Sequence, residues 1–364
     1  MKYWSQQLPR SRQINQRGRI FKGLLLALLV MAGAWWSLMA QSKPDGTEQE
    51  QYTMERSYYL IIHSNAVVYD LQVNGLNSKK NTEMGAINFT LPINHLMQSG
   101  ENTITFNYLE LSDIDPKTNE PIKEYHDNFF VRIAVQSMDN KTRERERITL
   151  MDISYDHENQ RLQGNPLSPQ GEEHIYATAN LHTDGKIREA SPHVLVTGMG
   201  PSDPTKRLTV RFTTPDRFPE FHWLDAVELE DTPQMRAELV AAYQRMYGYI
   251  YNEEFDSFFR ALEPAWRHGA ITTGVGQTAR DFVEHLDIES RNVPVRPNGQ
   301  TLNPLKIPDN LDNHIEFMNE GRLVRILPHP VTWQYPESNR FTAMPFLFYK
   351  TPSRQWKIAT ILTD

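Results

Sequence analysis

A basic stretch that runs straight into one apolar segment constrains this chain more than any other feature. Lys2, Arg10, Arg12, Arg17, Arg19 and Lys22 supply six positive charges within residues 1–22, and no acid appears before Asp45. The run GLLLALLVMAGAWWSLMA, residues 23–40, follows at once. Cytoplasmic flanks of membrane segments are enriched in Lys and Arg, so this asymmetry sets an orientation. A spanning helix needs about 20 apolar residues, with a range of roughly 17–25, which this run just meets. A cleaved signal has a shorter apolar region, about 7–15 residues, and a small-x-small cleavage site. Trp35 and Trp36 suit the far interface of a spanning helix, and Leu38 is bulky for a cut after Ala40. The expectation is an uncleaved, single-pass signal anchor over 23–40. A basic tail (1–22) stays in the cytoplasm, and the rest lies on the opposite side; a cleaved signal is the alternative.

The chain carries −7 overall, and the six charges of the tail leave −13 on the remainder. Such an acidic portion argues against nucleic acid as a partner. There is no cysteine, which removes disulfides, thiolate metal sites, cysteine nucleophiles and a lipoprotein anchor together. Exported animal domains often depend on disulfides, so the expected location is the bacterial inner membrane with the folded part in the periplasm.

Residues 41–56 are mostly polar and read as a tether. From Ser57 onward, β-rich runs recur: Tyr58–Ile62, Val67–Val73 ending at Asn74-Gly75, Ile87–Leu91, Thr103–Tyr108, Phe129–Val135, Arg147–Ile153 and Leu208–Phe212. Asn-Gly after an alternating run is a strong hairpin signal. These runs indicate an all-β sandwich domain over 57–215. Beyond it, Thr232-Pro233 reads as a cap and first helical residue, followed by a stripe of Met235, Leu239, Ala242, Tyr243, Met246 and Tyr247. A second helix from Asn252 carries Phe255, Phe258, Phe259, Leu262 and Trp266, with Pro264 expected to kink or close it. Thr278 caps a third helix through Leu286. Strands over Leu323–Leu327, Phe341–Lys350 and Gln355–Leu362 end the chain. Helices followed by an antiparallel sheet indicate an α+β domain over 216–364.

Three resemblances attach to these residues. Short aromatic helices followed by a sheet with Phe346-Leu347-Phe348-Tyr349 and Trp356-Lys357-Ile358-Ala359 resemble the NTF2-like or cystatin-like α+β group. Val73-Asn74-Gly75 with Leu96-Met97-Gln98-Ser99-Gly100-Glu101-Asn102 is similar to carbohydrate-binding-type β-sandwiches, in which this pattern shapes turns. The order of anchor, sandwich and further α+β domain resembles periplasmic immunity proteins associated with type VI secretion effectors. That last resemblance implies a partner that is a toxic effector.

No catalytic signature emerges. Gly-x-Ser-x-Gly is absent. Gly274-Val275-Gly276-Gln277-Thr278 lacks phosphate-loop spacing and reads as a helix-entry loop. Twelve histidines include His174, His182, His193, His314 and His329, none at metal-ligand spacing on a helix. His222 and Asp225 flank Trp223 as one possible rim of a site. Asp113, Asp115, Glu120 and Glu124 share a loop without the glycine of a calcium site. Arg143-Glu144-Arg145-Glu146-Arg147 alternates as a protected edge strand does. No cofactor, metal or catalytic residue is expected.

The aromatic excess on the helices is the best-placed binding feature, because Tyr and Trp join apolar area to a polar tip. Tyr243, Tyr247, Tyr251, Phe255, Phe259 and Trp266 are the expected partner-binding surface. The resulting expectation is a non-enzymatic, membrane-anchored periplasmic protein-binding module, an immunity protein that neutralises a secreted toxic effector. The alternatives are an accessory subunit of an envelope assembly, or a hydrolase with a C-terminal pocket using His268, Asp281 or His285.

Overall fold

Alternating side chains on β-strands, and the faces they cover, organise this molecule. The computed structural model describes residues 51–81, 85–110, 115–118, 125–165, 176–180 and 206–361. Residues Tyr52–Asp364 cluster as one unit. Its first part holds β1 (Arg56–Asn65), β2 (Val67–Val73), β3 (Leu76–Asn81), β4 (Ile87–Pro92), β5 (Gly100–Glu110), β6 (Phe130–Asp139), β7 (Arg145–Asp156), β8 (Arg161–Asn165), β9 (Tyr176–Asn180) and β10 (Lys206–Thr214). They form two five-stranded antiparallel sheets, ordered β4-β1-β6-β7-β8 and β3-β2-β5-β10-β9. Leu60 and Ile62 of the first sheet share one apolar cluster with Tyr69, Leu71, Ile104 and Phe106 of the second.

The Asn74-Gly75 hairpin turn has both residues at positive φ, 51° and 75°, the conformation that favours Asn-Gly between twisted strands. The Asn74 side chain then works as a clip. Its amide donates to the Leu96 carbonyl and to Asn102 Oδ1, each at 2.8 Å, and its oxygen accepts from the Thr103 amide at 2.8 Å. Asn102 in turn donates to the Gln98 and Gly100 carbonyls. Asn74 and Asn102 thus tie the hairpin turn to the segment that enters β5, while Val73, Leu96 and Met97 are buried in the core.

The second part comprises α1 (Pro233–Tyr251), α2 (Phe255–Thr273), α3 (Ala279–His285) and α4 (Ile288–Arg291). Short strands follow: β11 (Thr301–Leu302), β12 (Ile315–Met318), β13 (Leu323–Ile326), β14 (Thr332–Gln334), β15 (Phe341–Ala343), β16 (Phe346–Lys350) and β17 (Trp356–Ile361). The Thr232 hydroxyl accepts from the Met235 amide at 3.1 Å and caps α1. Helix α2 runs through Pro264 without ending and stops at Gly274, which takes the left-handed cap conformation at φ 73°.

The sheet β12-β13-β16-β17 is buried on both faces. Met318, Leu323, Leu347, Tyr349 and Ala359 join the cluster of the two large sheets. Their strand neighbours Val324, Phe346, Phe348 and Ile358, with Ile315 and Ile326, pack with Leu239, Tyr243, Leu262 and Trp266 of the helices. A sheet covered on both sides reads as a continuous apolar run, as in Phe346–Tyr349; in Leu323–Ile326 only the buried Arg325 interrupts it.

The expected plan is therefore corrected. An anchor, an all-β sandwich and a self-contained NTF2-like α+β domain would give the last sheet its own core. Instead, four antiparallel sheets dominate the described residues, helices are few, and one face of the last sheet completes the core of the first two. The Phe341–Lys350 strand also divides at Met344-Pro345, so that β15 pairs with β14 while β16 joins β13 and β17. Among the described residues no helix is long and apolar enough to cross a membrane. The anchor expected at 23–40 lies outside them, as do the tail 1–22 and most of the tether.

Candidate functional site

A cleft of about 160 Å³ opens where α1 and α2 meet β16 and β17. Helix α1 contributes Ala242, Arg245, Met246 and Tyr249, spacings of three and four that fall on one stripe. Helix α2 contributes Arg260, Ala261 and Pro264, and the sheet contributes Phe348, Trp356, Lys357 and Ile358. The floor is apolar, because Ala242, Met246, Phe348 and Ile358 are buried. The rim is cationic, because Arg245, Arg260 and Lys357 are exposed. Tyr249 and Trp356 form half-buried aromatic walls between floor and rim.

The Trp356 wall is held from behind. Its indole N–H donates to Glu238 Oε2 at 3.0 Å, and the same oxygen accepts from Lys350 Nζ at 2.5 Å. Lys350 Nζ also lies 5.5 Å from the centre of the Trp356 ring, within cation–π range. Hydrogen bonds from Lys350, then Trp356 and Gln234, hold the Glu238 carboxyl down at about 2. Of the rim cations, Arg260 donates to Ser257 Oγ at 3.2 Å. Among the described residues no carboxylate pairs with Arg245, Arg260 or Lys357.

The expected aromatic surface separates into three environments. Tyr243 is fully buried; its hydroxyl donates to the Phe346 carbonyl at 3.2 Å and accepts from the Ile326 amide at 3.1 Å, and burial pushes its pKa up. Trp266 is likewise buried, between Phe258 and Phe259 at 5.6 Å each. Phe255 and Phe259 are half-buried, and the Arg280 guanidinium caps the Phe259 ring at 4.5 Å. Tyr247 and Tyr251 stack at 5.8 Å, with Tyr251 61% exposed. None of the six lines the cleft; Tyr249, on the same helix, does. Tyr249 belongs to the aromatic excess read from the helices; the cleft residues not expected as a binding surface are Arg245, Arg260, Trp356 and Lys357. The one legible signal was the 242, 245, 246, 249 stripe, in which an arginine and a tyrosine interrupt apolar positions.

The residues considered for hydrolysis are not brought together. His268 Nε2 lies 3.1 Å from the His95 carbonyl, and its ring packs on Phe221 at 5.2 Å. Burial pushes His268 down to about 3 and His95 to about 4. His222 is also lowered by burial, and its Nε2 lies 3.1 Å from the Ile358 carbonyl. Asp281 is a helix cap: its carboxylate accepts the Gln277 and Thr278 amides at 2.9 and 2.8 Å. His285 sits in the last turn of α3. Of the amides a phosphate would need at Gly274–Thr278, those of Gln277 and Thr278 are thus occupied by Asp281, and those of Gly274, Val275 and Gly276 donate to the Ala270 and Ile271 carbonyls of α2. His174, His182, His193, Asp113, Glu120 and Glu124 lie outside the described residues. Among the described residues no three His, Asp or Glu side chains are grouped so as to hold a metal ion.

No family model, curated protein or solved structure matches this chain.

Proposed function

We propose that this chain is a membrane-held, periplasmic protein-binding module that docks on its partner through the α1–α2–β17 cleft, as an immunity protein docks on a secreted toxic effector. The carrying observation is what lines the cleft. Its residues include cations and aromatics over an apolar floor, and no carboxylate, histidine or serine. Acid–base and nucleophilic catalysis draw mostly on those types. Trp, Tyr and Arg are the types enriched at protein-binding hot spots. Size points the same way: sites for small molecules commonly run about 300–1,000 Å³, whereas about 160 Å³ suits one anchoring side chain. The basic tail and the apolar run at 23–40 support the membrane location.

The test uses the full-length chain, tagged at its C-terminus and isolated in detergent from the producing cells. An Ala261→Trp variant, which fills the cleft from half-buried position 261, is isolated in parallel. The expected result is a stoichiometric partner that leaves with the variant. That partner is toxic when exported alone and harmless when co-exported with the parent chain. A partner indifferent to the filled cleft, or a harmless one, overturns the reading.

A further inference from the structure

We infer that the segment received by the cleft is acidic: one apolar side chain enters over Ala242, Met246, Phe348 and Ile358, and flanking carboxylates meet Arg245, Arg260 and Lys357. This rests on the reading of the cleft as a protein-docking site and names the partner's chemistry.

Three observations converge on it. The first is charge. The chain outside its N-terminal tail is strongly acidic, yet three cations from three different elements gather around one opening. Like charges brought together repel, and among the described residues none of the three is ion-paired with a carboxylate. A ligand with negative charge supplies the missing counter-charge. The second is chemistry. Arg245 and Arg260 offer planar forks that match carboxylates with two parallel hydrogen bonds. Lys357 adds a point charge on the sheet side. The third is layering. The buried floor lies beneath the charged rim, so a small inorganic anion would leave the floor unfilled, and an aliphatic group alone would leave the rim unmatched. An apolar side chain between acidic neighbours satisfies both. The acidic bulk of the molecule also rejects extended acidic surfaces, which confines the attraction to this opening and favours a short segment over a broad acidic face.

The experiment uses the full-length chain in nanodiscs of neutral lipid. Three fluorescent probes are titrated: a peptide with Phe between Asp and Glu residues, the same peptide with Lys in place of every acid, and vesicles of phosphatidylglycerol. The acidic peptide is expected to bind at least tenfold tighter than the basic one and to weaken as salt is raised. Arg245→Glu and Arg260→Glu, both at exposed positions, are each expected to weaken it at least tenfold with unchanged melting temperature. Equal binding of the two peptides, preference for the basic one, or charge-dependent binding of vesicles alone overturns the inference. The broader reading fails separately. If Ala261→Trp releases the captured partner while the charge reversals retain it, the cleft is a docking site for a segment that is not acidic. If neither change matters, both readings fall.

Discussion

Lys80 on β3 reaches Glu316 on β12 at 2.7 Å, joining strands 236 residues apart. Glu316 also accepts from Arg325, its cross-strand partner on β13. All three lie on the side of the last sheet that faces the second. The side chains of Glu316 and Arg325 are 3% and 0% exposed, that of Lys80 17%. Burial alone would raise the Glu316 pKa, but Arg325 and Lys80 outweigh it and keep the group ionised. Removing one member of a buried pair strands the other charge and costs about 3–5 kcal/mol, whereas replacing a pair by apolar residues is often neutral. Glu316→Ala is therefore expected to lower unfolding free energy by about that amount in urea titrations. Glu316→Leu combined with Arg325→Leu should recover most of it. A loss in the double variant equal to the sum of the Glu316→Leu and Arg325→Leu losses would show that the pair does not act as a unit.

Acid sensitivity follows from groups buried in the wrong state for low pH. His95 and His268 are held near 4 and 3, and His222 is lowered as well, against about 6.5 in an unfolded chain. Below about pH 6.5 the unfolded chain takes up protons that the native histidines refuse, so stability falls as pH falls. Asp70 works in the opposite sense. Burial first, then Glu316, raises it to about 6, against Lys80 and the amides of Gln72 and Asn107. From about pH 6 down to its ordinary value the native state binds that proton first, which offsets one histidine. The net expectation is a loss of at least about 1.4 kcal/mol per pH unit between pH 6 and 4. Chemical unfolding across that window checks it, and Asp70→Asn should steepen the slope. A flat profile would contradict the burial of the three rings.

Glu238 separates positioning from charge at the cleft. Its carboxylate holds the Trp356 indole and Lys350 but does not line the opening. Glu238→Ala removes a negative charge, which by electrostatics alone should strengthen binding of an acidic peptide. It also frees the Trp356 wall, and immobilising such a side chain on binding costs about 0.5–1.5 kcal/mol. The expected net result is a two- to tenfold weaker peptide, measured by the same titration, with a stability change below about 1 kcal/mol because the pair is partly exposed. Tighter binding would mean that Trp356 needs no support.

Local chemistry was legible in this sequence, and convergence was not. Thr232-Pro233, Asn74-Gly75 and Thr278 each set a cap or turn through neighbours a few residues away, and each lies where its chemistry places it. Of the two effects expected of Pro264, a kink or closure of the helix, closure does not occur: α2 continues to Thr273, because packing on the sheet offsets the hydrogen bond that proline removes. Strand β3, Leu76–Asn81, is mostly polar and gave no period. Its buried Asn77 amide and Ser78 hydroxyl donate to Asp70 and to the Leu71 carbonyl on the neighbouring strand, and a sequence does not display such partners. The two-faced burial of the last sheet was hidden for a related reason: Leu323–Ile326 reads the same whether one core or two receive it. Arg245, Arg260 and Lys357 each read as an ordinary surface charge. Only the packing of α1 and α2 on β17 gathers them.

Gly276 offers a test of the loop between α2 and α3. A methyl group there would sit 2.3 Å from both Cβ and Oδ2 of Asp281. The carboxylate can swing aside, but Cβ moves only with the backbone, so Gly276→Ala must displace the first turn of α3. That turn carries a reciprocal cap, in which the Thr278 hydroxyl accepts the Asp281 amide at 3.2 Å while Asp281 accepts the Thr278 amide. Losing a cap costs about 0.5–2 kcal/mol, the expected effect of Asp281→Ala. Gly276→Ala is expected to cost more than that in urea unfolding. The effect should also reach the start of the folded unit, because the Gln277 side chain donates to the Tyr52 carbonyl at 2.7 Å and accepts from the Tyr52 amide at 3.2 Å. Faster hydrogen exchange at Tyr52 in Gly276→Ala, with exchange in β1 and β6 unchanged, would show that this loop clasps the chain where it enters the fold. Because Asp281 already occupies the Gln277 and Thr278 amides, and α2 carbonyls take those of Gly274, Val275 and Gly276, inorganic phosphate should leave the melting temperature of the parent chain unchanged. A phosphate-dependent rise would mean that the carboxylate yields its place to an anion.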